Sequence, residues 1–81
     1  MKIYDINIVE NNNKRVYIVE IDEHKMILGV TFVTTLNNEL IKVMTTNHKG
    51  VSKTYKRIPK EYKELFKDVL MSYLLDKHYN N

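Results

Sequence analysis

The sequence predicts an α+β fold: an antiparallel β-meander of four to five strands with one C-terminal amphipathic helix packed across one face. Three observations lead there. Apolar residues alternate with period two through the first part of the chain. The period changes to helical at Pro59. The polar breaks between periodic segments are short, so sequential strands should pair as hairpins. The 81 residues are expected to form one domain, 1–81, near the lower size at which a chain folds alone.

The first strand is placed at about 2–10, where Tyr4, Ile6 and Ile8 alternate with Asp5 and Asn7. Asn11-Asn12-Asn13 breaks the pattern, because Asn tolerates turn conformations that other side chains resist. The second strand, 15–22, puts Tyr17, Val19 and Ile21 on one face. Val16 and Ile18 make its other face apolar too, which suits a central strand. After the polar break Asp22–Lys25, the third strand runs 26–35 with Leu28, Val30 and Phe32 toward the core. Gly29 within it suggests a bulge or a close backbone approach.

Asn37-Asn38 turns the chain into the fourth strand, 40–47, and Asn47-His48-Lys49-Gly50 into the fifth, 51–57. The fifth is polar, and its lysines would protect an exposed edge. Pro59 suits a first helical turn. Tyr62, Leu65, Phe66, Val69, Leu70, Tyr73 and Leu74 then recur at helical spacing, so the helix is placed at about 59–78. Glu61 near its start and Lys77 and His78 near its end suit the helix dipole. Met71 and Leu75 fall on the opposite side, which marks them as an oligomer or partner interface.

Composition excludes several function classes. There is no cysteine, hence no disulfide framework and no thiolate metal site. His24, His48 and His78 lack a second ligand-type residue at metal-site spacing, so no metal and no cofactor are expected. With two glycines in all, no phosphate-cradling loop is available. Ser52 and Ser72 have no Gly-rich elbow around them. An enzyme is not expected. Neither a signal peptide nor an apolar run of membrane-span length, roughly 20 residues, is visible, so the expected location is cytoplasmic with no membrane partner. Abundant Asn, Lys, Tyr and Ile are residues of A/T-rich codons and suggest a low-GC bacterium or its phage.

Charge is segregated. Lys49, Lys53, Lys56, Arg57, Lys60 and Lys63 stand against one acid, Glu61, in the segment 49–63. That segment carries +5, while the whole chain carries +3. Cations interleaved with an aromatic ring suit a single-stranded nucleic acid: the cations neutralise phosphates and Tyr55 would stack on a base. The leading expectation is therefore a small non-enzymatic regulatory protein that binds single-stranded DNA or RNA through this basic edge. The alternative is a protein-protein interaction module, such as a phage or mobile-element inhibitor of a host protein. A homodimer is also expected from the helix patch. Several strands followed by one long helix is similar in layout to a known family of single-stranded DNA-binding proteins, although none of that family's residue motifs is present.

Overall fold

The alternating segments pair into one antiparallel sheet whose spatial order is the order of the chain. The computed structural model describes residues 2–23 and 26–79, with the side chains of residue 3, residues 5–22 and residues 28–75. Its strands are β1 (Lys2–Glu10), β2 (Lys14–Glu23), β3 (Met26–Thr35), β4 (Leu40–Thr46) and β5 (Ser52–Tyr55), followed by one helix, α1 (Lys60–Tyr79). The α+β meander with a C-terminal helix is thus the observed fold. His24 and Lys25 lie outside the described residues, as do the side chains of Tyr4, Lys77 and His78.

Register places one apolar row above another on the helix side of the sheet. Ile8 pairs Tyr17, which pairs Phe32, which pairs Val43. Ile6, Val19 and Val30 form the next row, and Ile21 pairs Leu28. Tyr17, Val19, Val30, Phe32 and Val43 are wholly buried. The simple alternation expected of β1 is broken by a register shift between Ile3 and Asp5. The extra residue lets Ile3 and Ile6, three apart, both pack against the core. A second shift lies between Val33 and Thr34. Gly29 is not a bulge. It pairs regularly with Glu20 and Thr46, and a Cβ there would meet Thr46 at only 3.9 Å, ordinary contact.

The helix covers this face by crossing the strands. Tyr62 packs on Tyr55 of β5, with ring centroids 5.4 Å apart. One turn later Phe66 lies 5.1 Å from Phe32 of β3 and meets Tyr17 of β2 edge-on at 5.2 Å. Leu65, Phe66 and Val69 are buried, and Tyr62 and Leu70 flank them. Pro59 precedes the helix rather than opening it: its carbonyl accepts from the amides of Tyr62 and Lys63 at 3.1 and 3.2 Å. Leu74 departs from the expected core stripe and is 60% exposed. At about 100° per residue it lies about 140° around the helix from the buried Val69, too far to reach the sheet.

One end of the sheet is closed by a polar network joining distant turns. Arg15 Nε donates to Glu10 at 2.7 Å, and its Nη1 donates to Asn38 Oδ1 at 2.9 Å and to the Tyr17 hydroxyl at 3.3 Å. The Tyr17 hydroxyl also donates to Asn38 Oδ1. Asn38 holds a left-handed backbone, φ 63°, which Asn tolerates better than most residues. The turn between β3 and β4 thereby presents an acceptor to a tyrosine whose ring fills the core. Asn38→Ala removes that acceptor and keeps the strained backbone. It should lower folding stability by about 1–3 kcal/mol in urea denaturation, and a neutral result would mean that water replaces the amide.

Candidate nucleic-acid interface

The cations of the basic segment gather at one corner of the molecule because three short elements meet there. Asn47 shapes the first. Its side-chain oxygen accepts from the amides of Lys49 and Val51 at 2.9 and 3.0 Å, and Gly50 takes a positive φ of 82°. This tight turn presents Lys49 to solvent. The strand β5 follows as the sheet edge, four residues long and paired only with β4. It is shorter than the 51–57 read from alternation. Ile58 packs against the core, so the chain must leave the sheet plane after Tyr55 to reach the helix layer.

That geometry separates Lys53 from Arg57, which a strand running 51–57 would carry on one face. Lys53 lies on β5 opposite Thr45, on the helix side of the sheet. Lys56 and Arg57 lie in the bend after β5, and Lys60 and Lys63 on the first turn of α1. All six cations are exposed. The only ion pair any of them makes among the described residues is a loose one, Lys60 to Glu64 at 4.0 Å. A salt bridge this exposed contributes little to stability. The corner therefore presents cations not needed for folding.

Tyr55 occupies a different place from an open stacking platform. Its ring is half-buried against Tyr62, and Lys53 Nζ sits 5.0 Å from the ring centroid. The inner face of the ring is taken by Tyr62 and the lysine stands over it, a cation–π arrangement. What the corner offers an anionic chain is phosphate neutralisation, with the Tyr55 edge beside it. Tyr62 was readable as a helix-stripe residue; its pairing with Tyr55 was not, because nothing in the sequence gives the distance between two layers.

Other chemistry is sparse. Among the described residues, no group of three or more His, Asp and Glu side chains could hold a metal ion. A surface groove of about 170 Å³ on α1 is lined by Glu61, Glu64, Leu65 and Asp68. The first half of the helix thus carries an acidic flank beside its lysines. Met71, Leu74 and Leu75 are 63%, 60% and 51% exposed and form a stripe at i, i+3 and i+4 on its second half. No helix among the described residues is long and apolar enough to cross a membrane. No protein-family model, curated protein or solved structure matches the chain.

Proposed function

We infer that this is a small non-enzymatic regulatory protein that binds single-stranded DNA or RNA through the basic corner. The observation carrying this reading is the set of exposed cations, Lys49, Lys53, Lys56, Arg57, Lys60 and Lys63, collected on a sheet edge, a bend and a helix start with one loose acidic partner among them. Flexible lysines at irregular spacing suit a backbone that bends, and they carry no base readout. Binding should therefore be tolerant of sequence and steeply dependent on salt. The test is a fluorescence-anisotropy titration of a labelled oligonucleotide across a salt series. The expected slope of log affinity against log salt is about −0.7 for each phosphate contacted. No binding at low salt refutes the reading.

A second reading is favoured by a different observation. The stripe Met71, Leu74 and Leu75 leaves three large apolar side chains in solvent on one helix face. In this reading the protein is a docking module for a host protein, of the kind a phage or mobile element uses as an inhibitor, and the lysines protect the β5 edge.

A further inference from the structure

We propose that the sheet face away from α1 is a self-association surface, on which a second copy packs about a two-fold axis parallel to β3. The inference is independent of the nucleic-acid reading. An antiparallel sheet with one wet face ordinarily turns polar side chains outward. Here the outward rows keep an apolar middle. Val9, Val16, Val33 and Lys42 form one row, and Asn7, Ile18, Thr31, Met44 and Thr54 the next. Val9 is 54% and Ile18 45% exposed, and no element of the described chain covers them.

The occupant follows from how charge is laid out. A two-fold parallel to β3 exchanges β2 with β4 and β1 with β5 in the facing copy. Lys14 on β2 then faces Glu39, because Lys14 pairs with Thr35 and the Thr35 amide donates to the Glu39 carbonyl at 2.9 Å. Ile18 faces Met44 and Thr31 faces Thr31; Val33 is already buried within the single chain, at 6% exposure, and adds little contact. Glu20 faces Thr46 and Asp5 faces Ser52, so these two acids meet hydroxyls. Lys42 lays its aliphatic stem on Val16. No like charges oppose each other. The other in-plane axis, across the strands, would press Glu20 on Val16 and Asp5 on Val9, burying carboxylates against apolar surface.

Area favours the sheet face over the helix stripe. Five strands at about 4.8 Å span about 19 Å, and seven residues at about 3.3 Å span about 23 Å. The footprint is therefore at most about 440 Å², since β5 is only four residues long. This is about half of the roughly 800 Å² per partner of a standard specific interface, the size of a weak dimer contact. Three side chains on α1 reach a fraction of that. The face carries acids at one end and lysines at the other, so a polyanion is not a fitting occupant. The assembly is a four-layer α/β/β/α sandwich with isologous contacts.

The test is sedimentation equilibrium of the full chain at micromolar concentration, with circular dichroism to confirm folding. The expected result is a dimer that Ile18→Glu converts to monomer. Lys14→Glu and Glu39→Lys should each weaken association roughly ten-fold, because two-fold symmetry repeats each clash. The double variant should recover most of the loss. This swap keeps the test decisive even if Ile18→Glu fails to fold. A wild-type monomer, a dimer unaffected by Ile18→Glu, or a charge swap without recovery overturns the proposal. So does a dimer broken by Leu75→Glu and not by Ile18→Glu, which would assign self-association to the helix stripe.

Discussion

Phe66→Ala should cost about 3–5 kcal/mol of folding stability, the range for emptying a buried aromatic site. The ring is 4% exposed and lies against both Tyr17 and Phe32, so it joins the helix to β2 and β3 at once. Truncation leaves a cavity between layers that a backbone pinned by sheet pairing cannot collapse. The two aromatic contacts add roughly 0.5–1.5 kcal/mol each beyond the area they bury. A domain this small has a total stability of only about 3–5 kcal/mol. The variant should therefore be largely unfolded at ambient temperature, read as lost chemical-shift dispersion and a urea midpoint near zero. Met71→Ala, on the exposed side of the same helix, should change stability by less than about 0.5 kcal/mol. A small effect at Phe66 would mean that the helix does not dock where these ring contacts place it.

Lys53→Glu combined with Arg57→Glu should weaken oligonucleotide binding at least roughly ten-fold and do so for every sequence tried, since phosphate contacts carry no sequence information. The pair changes the local charge of residues 49–63 from +5 to +1. The two side chains project from β5 and from the bend that follows, so the double variant removes contacts along a path rather than at one point. The salt slope should fall by about 1.4 if each lost cation had neutralised one phosphate. Folding should change little: both residues are exposed and make no ion pair among the described residues, and the Lys53 contact over the Tyr55 ring that is lost is worth about 0.5–1 kcal/mol. Tyr55→Ala is a poorer probe of stacking. Its ring supports Tyr62, so the substitution should lower stability as well as any affinity. Unchanged binding by the double charge reversal would place the oligonucleotide on another surface than this corner.

The physical basis for reading this chain differs from element to element. The strands β1 to β4 were legible because a half-buried strand imposes period two on its own side chains. The helix was legible because Leu65, Phe66 and Val69 recur on one face and Pro59 marks the change of period. The bulge after Ile3 was not legible, since a register shift depends on what the neighbouring strand presents. Leu74 was misplaced for a related reason. Spacings of three and four drift around a helix of 3.6 residues per turn, and only the position of the sheet decides where the buried arc ends.

Sequence by itself determined the fold class, the order of elements and the concentration of positive charge between Lys49 and Lys63. These depend on local periodicity and on composition, which each segment carries alone. Tertiary structure decided what the charged segment looks like in space. It shortened β5 to Ser52–Tyr55, turned Lys56 and Arg57 off the strand and set the Tyr55 ring on Tyr62. It also decided that Val9, Val16 and Ile18 face away from the helix with no element of the described chain over them. The reason is that exposure belongs to pairs of elements. A side chain's face is fixed by the strand it sits in, but whether anything covers that face depends on the one helix, which can shield only one side of the sheet.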